Sequence, residues 1–431
     1  MSARVTLGAP EAVSTQARVA WAFYDWANSA YATLIVTFVF STYFALTVVE
    51  DAVRGQQLWG WAASASGLAV ALLAPIVGAI ADAGGRRKPL LFAFTALATV
   101  CTALLWWAEP DPTFVVWVMV WYAIGNVGIE FGVVFANSML PDLVPRERIG
   151  RWSGWAWGLG YAGGIVSMVV ALVALVQAEQ PPFGLDKAAF EHIRAVAPLA
   201  AVWLAIFATP LFVFTPDRPG RTGNLAEHVR AGLRSIGATL ASASADGNLV
   251  RFLLANMIIM DALVTVFVVG GIFAAGVFGM TQTQVLVFGI VLNLTGGIGA
   301  ALFGWVDDHL GPRRAILLAL VGLFVTAAGA VTAPSATFFW VFGSALGLFV
   351  GPVQAGGRSL MARMAPAGRT TEFFGLFALS GKATAFLGPA VVATVTAATH
   401  SQRWGLSVLL VFFAAGGALL WTVRESPRSE D

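Results

Sequence analysis

Asp25, Glu130, Asp261 and Lys382 stand inside stretches of sequence that are otherwise almost wholly apolar. A charge in such a setting is costly unless it is paired, protonated or open to a water-filled cavity, so each is a candidate for holding a charged solute or carrying a proton. Asn126 lies one helical turn before Glu130 and Asn137 two turns after it on a similar face, and Asn28 adds an uncharged polar position beside Asp25. Counting at 1.5 Å per residue from Arg251 and from Phe373 puts Asp261 about 15 Å and Lys382 about 13 Å along their helices, a depth at which they can pair. The same count puts Glu130 roughly 10 Å from the end of its helix and Asp25 about one turn inside the start of its own. Each has a bland counterpart: an ion pair joining two helices for Asp261 and Lys382, and a protonated, hydrogen-bonded carboxyl for Glu130. For Asp25, a structural or gating part ranks ahead of contact with a solute.

Other chemistries lack their residues. His192, His228, His309 and His400 are scattered without metal-ligand spacing, and no Ser/His/Asp set falls at one depth, so neither a metal nor an enzymatic site is expected. The glycines of the fifth stretch (Gly154, Gly158, Gly160, Gly164) and the eighth (Gly296, Gly297, Gly299) lack the Gly-Lys-Ser/Thr of a phosphate loop and suit close helix packing instead. No nucleotide or other cofactor is expected. The single cysteine, Cys101, permits no intramolecular disulfide, and a net charge of +2 with dispersed basic residues argues against nucleic acid as a partner.

The elements that must position the charges are membrane helices. With 58% apolar and 11% charged residues, the chain has too little polar surface for a water-soluble domain, and the missing surface has to face lipid. Apolar stretches long enough to cross a bilayer are expected at about 21–48, 57–81, 89–108, 113–137, 152–178, 195–214, 252–275, 285–306, 315–333, 337–356, 373–396 and 405–423. Twelve spans put both termini on one side. Of the 25 lysines and arginines, Lys382 lies in a span, 20 fall on the terminal side, and only Arg54, Lys187, Arg194 and Arg403 fall on the other. Positive charge stays inside, so both termini are expected in the cytoplasm of a multi-pass inner (plasma) membrane protein, with no cleavable signal peptide. The longest inner connection divides the chain into a first half (1–214), a linker (215–250) and a second half (251–431). Leu225, Val229, Leu233, Ile236 and Leu240 recur there at helical spacing with Arg230 and Arg234 one turn apart, as in an amphipathic helix strapping the halves along the membrane surface.

The halves repeat. Gly78, Asp82, Gly85, Arg86 and Arg87 after the second span are echoed by Gly304, Asp308, Gly311, Arg313 and Arg314 after the eighth, with Pro312 shifting the arginines by one. Asn137-Ser138-Met139 and Gly154 match Arg358-Ser359-Leu360 and Gly375 at one offset of 221 (358 − 137 and 375 − 154). The segment Gly78 to Lys88 resembles the signature between helices two and three of the major facilitator superfamily, with Ala83 where a basic residue is usual. Tyr24 to Tyr31, Gln354 to Leu360, Glu372 to Gly375, Ser380 to Thr384 and Gly388-Pro389 together resemble the bacterial branch of the fungal autophagy-related vacuolar effluxer family. The resemblance implies an all-α fold of two six-helix bundles and a secondary transporter working by alternating access, with amino-acid efflux suggested by the fungal relatives. It adds Gln354 to the solute or proton candidates, and the two repeated loops together with Arg358 as gating elements. The expected partners are a small polar solute, the lipid bilayer and protons, in a functional monomer. A membrane sensor on a transporter fold, without net transport, is the alternative.

Overall fold

Backbone N–H and C=O groups in hydrocarbon must bond to one another, which a single helix does alone. The computed structural model describes residues 13–221, 227–232, 234, 246–280, 282–385 and 387–425, and twelve of its helices are long and apolar enough to span a membrane. They are α1 (Thr15–Val48), α2 (Arg54–Gly84), α3 (Lys88–Trp107), α4 (Pro112–Leu143), α5 (Arg146–Val176), α6 (Glu191–Phe214), α7 (Gly247–Gly271), α8 (Val287–Leu310), α9 (Pro312–Thr332), α10 (Ala336–Met364), α11 (Thr370–Thr399) and α12 (Gln402–Trp421). Large apolar side chains such as Leu68, Val116, Val173, Val321 and Val411 remain exposed on the outer faces, where lipid would cover them.

Local signals set several ends. The Ser14 hydroxyl accepts from the Ala17 N–H and starts α1 six residues before the expected Trp21, and Ser335 caps α10 in the same way. At the ends on the side of the termini, α4 runs to Leu143 and α10 to Met364, well past the expected 137 and 356. Asn137 and Arg358 therefore lie within helices, so Arg358 does not belong to a loop. Three spans are irregular, α5 among them with π-helical turns over Leu172–Val176. Beyond Ala30, α1 widens into π-helical turns over Tyr31–Phe38 and Phe44–Val48. α11 breaks between Lys382 and Leu387, and Pro389 falls in the first turn of the second segment, where its missing N–H costs no helical bond.

The six-helix halves meet on the terminal side along two crossings, α2 with α11 and α5 with α8, and glycine permits both. A Cβ on Gly375 would sit 2.6 Å from the Ala74 carbonyl carbon, and one on Gly78 would sit 2.6 Å from the Thr371 carbonyl oxygen. The other crossing repeats the arrangement: a Cβ on Gly154 would strike the Ala300 carbonyl oxygen, and one on Gly304 would sit 2.9 Å from Arg151 Cα. The internal repeat therefore exists in space. It continues past the helices, since Asp217 after α6 accepts from the N–H groups of Arg87 and Lys88 at 3.0 and 3.2 Å, and Glu425 after α12 accepts from that of Arg313 at 2.6 Å.

Of the linker, 227–232 and Arg234 are helical, and Gly232 lies against Ile80 of α2. Leu225, Leu233, Ile236 and Leu240 of the expected amphipathic face lie outside the described residues. If the glycine crossings set the closed arrangement, Gly375→Leu should wedge α11 away from α2. A cysteine at the fully buried Ser138, in a Cys101→Ser background, should then react with a maleimide at least tenfold faster than without the wedge. Equal rates would show that the crossing tolerates a side chain.

Candidate functional site

On the terminal side, the Asp82 carboxylate accepts from the backbone N–H of Glu372 at 2.9 Å, so a residue of the first half holds the start of α11 in the second. Arg87, buried, reaches Asp82 at 3.6 Å, donates to Asp142 at 2.7 Å and bonds the Ser138 carbonyl. Arg218 from the linker joins the same Asp142 at 2.7 Å and touches Thr370 Oγ1 at 3.3 Å. The second crossing mirrors the first with charges exchanged. Asp308 accepts from the N–H of Arg151 at 3.2 Å and pairs with that residue's guanidinium at 3.3 Å, while Arg363 binds Asp307 at 2.8 Å. Arg151 and Glu372, like Asp142 and Arg363, are 221 residues apart, so at these two positions the repeat keeps a charge and reverses its sign, while Asp82 and Asp308 keep theirs.

The remaining loop candidates are placed differently. Gly85 and Gly311 turn the chain at φ of +83° and +91°, a region that favours glycine. Arg86 and Arg314 are exposed, and Arg313 turns away from the gate to bond the Val423 carbonyl at 2.8 Å and lie over Trp421. The inward role expected of those second-half arginines belongs to Arg363, which only the longer α10 brings into place.

One turn further in, Arg358 of α10 crosses the interface. Its guanidinium is buried and donates to Asp25 at 2.7 Å, to Asn137 Oδ1 at 3.1 Å, and to the hydroxyl and carbonyl of Ser153 at 2.9 and 2.6 Å. Trp21 and Trp157 lie 5.2 and 5.7 Å from its centre. Asp25 is thus not a shallow residue one turn inside its helix: ten residues separate it from Thr15, about 15 Å of helix, and it faces the opposite half. Asn137 is the repeat equivalent of Arg358 and touches it, so the contact lies on the axis relating the halves.

The deeper layer gives Asp261 and Lys382 different partners. Lys382 bonds Glu130, Nζ to Oε1 at 2.8 Å, and Asp261 instead accepts from the Gly388 N–H with both oxygens at 3.0 and 3.1 Å. The break in α11 explains both choices. Asp261 of α7 caps the start of the second segment, where a carboxylate is favoured, and Lys382 ends the first, where a cation is favoured. Glu130 is 13 residues from Leu143, about 20 Å of helix rather than 10 Å, because α4 is longer than expected. Lys382, 12 residues into α11, is about 18 Å from its start. Members of the pair are 24% and 30% exposed, so it lines accessible space between α4 and α11. Nearby, Gln354 accepts from Tyr161 at 2.7 Å across the halves, Asn256 donates to Ser380 at 2.9 Å, and Asn126 donates to Ser66 at 2.8 Å. Asn28 is half-buried with no side-chain hydrogen bond among the described residues. Sequence reasoning passed over Ser153, Tyr161, Asn256 and Ser380, whose types are common in packed membrane helices and become informative only through their partners.

Farther from the terminal side, a cavity of about 210 Å³ is lined by Thr37 and Phe38 of α1 and by Phe288, Asn293 and Phe339 of the second half. It contains neither member of the ion pair, whose chemistry, not the cavity's size, marks the site.

The same architecture is known. A major facilitator superfamily proton:xylose symporter, solved with 6-bromo-6-deoxy-D-glucose, superposes with a TM-score of 0.69 at 13% identity over 95% of this chain and 96% of that one. The family model described as vacuole effluxer Atg22 like matches residues 61–151 and 145–430. The chain belongs to that family. Among its relatives, the MFS-type transporter YxiO of Bacillus subtilis (strain 168) is 24% identical over 96% of each chain. Autophagy-related protein 22 of Pichia angusta is 23% identical over 79% of this chain and 70% of its own. The protein is accordingly a membrane transporter of the major facilitator type and not an enzyme.

Removing one partner of a buried charge pair leaves the other unsatisfied. In a double-mutant cycle on Arg358→Met and Asp25→Asn, the two changes should be non-additive by about 1 to 3 kcal/mol in stability. Additive effects would remove the direct interaction.

Proposed function

We propose that this transporter moves a small polar organic solute carrying both a positive and a negative group, of amino-acid type, by alternating access between its two halves. The observation behind this reading is the Glu130–Lys382 pair. It joins the halves at mid-depth, it is partly exposed, and each member presents to a solute the charge that the other now satisfies. A solute with an ammonium and a carboxylate can replace both halves of that bond, exchanging a protein ion pair for two solute contacts without stranding a charge. Opening the pair also removes one of the links between α4 and α11, leaving that of Thr371 Oγ1 with Ser138 Oγ at 3.2 Å. Gln354 and Tyr161, bonded across the same interface, are proposed to orient the uncharged part of the solute.

Direction and coupling belong to the same proposal. Efflux is favoured by the family description, and Asp261 is the proposed proton carrier, since protonation would remove the negative charge that caps the second segment of α11. The charge distribution among the loops supports cytoplasmic termini in a plasma membrane, with 215–250 as the connection between halves. A complete pathway between the two halves of one chain supports a functional monomer. A transporter-fold sensor would share the pair and bind solute without net flux.

In liposomes holding the purified protein, Glu130→Gln and Lys382→Met should each lower amino-acid exchange by at least tenfold, and the charge swap Glu130→Lys with Lys382→Glu should recover part of it. Full exchange in both single variants would reject the site. Solute binding with no flux in the unmodified protein would favour the sensor.

Asp261→Asn should retain solute exchange while abolishing accumulation driven by a pH gradient, because the amide still accepts from Gly388 but cannot cycle a proton. Intact pH-driven accumulation would exclude Asp261 as the carrier.

A further inference from the structure

Where α3 begins on the terminal side, an open groove of about 580 Å³ lies between α3 and α6. Arg86, Lys88 and Arg218 supply its cations, Asp217 its carboxylate, and Phe92 and Phe212 its apolar rim. The formal charge of these walls is +2 (three cations less one carboxylate). Asp217 is already satisfied by the N–H groups of Arg87, Lys88 and Arg218, and Arg218 is engaged by Asp142. Lys88 bonds the Thr215 carbonyl, which leaves its charge without a carboxylate in direct contact, and exposed Arg86 has no carboxylate within 4.0 Å among the described residues. The groove therefore carries a net +2 at the level where the spans leave the hydrocarbon, with Arg86 its cation farthest from a carboxylate and Lys88 sharing Asp217 with two other groups. One turn deeper Phe92 is 59% exposed and packs edge-on against Phe212 at 5.4 Å, a surface suited to acyl chains.

The second half shows what a filled version looks like. Thr215 and Val423, like Asp217 and Glu425, differ by 208 residues (423 − 215 and 425 − 217), and each pair serves the same purpose in its half. The same offset sets Val213 against Trp421 (421 − 208). Trp421 lies under the Arg313 guanidinium at 5.4 Å, whereas Val213 is small and 63% exposed. One half supplies its own aromatic cover for the cation, and the other leaves a groove.

We propose that this groove binds the phosphate headgroup of an anionic phospholipid, with Arg86 and Lys88 on the phosphate and the Phe92–Phe212 pair against the first acyl carbons. Phosphate chemistry follows from the two cations, and a lipid rather than a free ion follows from the rim that continues into the lipid-facing surface. Because the groove borders Gly85 and Arg87, an occupant would stiffen the gate around Asp82.

The test uses the purified full chain, stripped of lipid in a neutral detergent. Phosphatidylglycerol should raise its melting temperature by several degrees, and phosphatidylcholine or inorganic phosphate at the same phosphorus concentration should not. Arg86→Gln should weaken the phosphatidylglycerol response at least tenfold in concentration. Val213→Trp, which copies the cover present in the other half, should abolish it while leaving the unliganded melting temperature at or above that of the parent. Native mass spectrometry should show one retained phosphatidylglycerol on the parent and none on Val213→Trp. An equal response to inorganic phosphate would overturn the lipid assignment, and an undiminished lipid response in Val213→Trp would overturn the site.

Discussion

A guanidinium cannot remain bare in a membrane interior, and the cost of burying Arg358 organises the terminal side of this protein. The side chain leaves α10 in the second half and finds its carboxylate, amide and hydroxyl partners on α1, α4 and α5 of the first. Among the described residues, every hydrogen bond of its guanidinium goes to the first half. The two halves must therefore stay together on the terminal side, or the charge must be given other company by water entering from that side. A solvated guanidinium is stable and a desolvated, partnered one is stable, while intermediate arrangements are not. Such a group favours two states with little between them, which is what alternating access demands of a gate.

The repeat explains how that gate is built without being symmetrical in charge. Asp82 and Asp308 each accept a backbone N–H from the helix of the opposite half, so the two crossings share one backbone device. Around them Asp142 is answered by Arg363 and Arg151 by Glu372 at the same offset. Duplicated helices with identical charges would repel across the axis, and reversed signs let each cluster be neutralised within its own crossing. On the axis itself, Asn137 and Arg358 are equivalent positions that touch, and arginine at both would place two cations together. Deeper in, the broken α11 meets Asp261 of α7 at the start of its second segment and presents Lys382 at the end of its first, so the two charges have separate partners.

Much of this was legible in the chain because hydrocarbon allows few alternatives. Twelve apolar stretches, the repeat at 221 and the identity of the buried charges all follow from residue types and spacing. Partners did not follow. Asp261 and Lys382 had similar counted depths, but α11 breaks between Lys382 and Leu387 and gives the two residues different neighbours. Asp25 and Glu130 were placed too shallow because serine capping at Ser14 and the inner turns of α4 lengthen helices beyond their apolar cores. Arg358 and Arg363 were assigned to a loop for the same reason, since arginine at a helix end resembles arginine in a connection until the helix is seen to continue.

The account rests on Arg358 as the latch between halves, and spin-label distances across the terminal side test it directly. With labels on the inner ends of α2 and α11 in liposomes, the unmodified protein should show a predominant short distance, and Arg358→Met should shift most of the population to a longer one. A distance distribution unchanged by Arg358→Met would contradict the account.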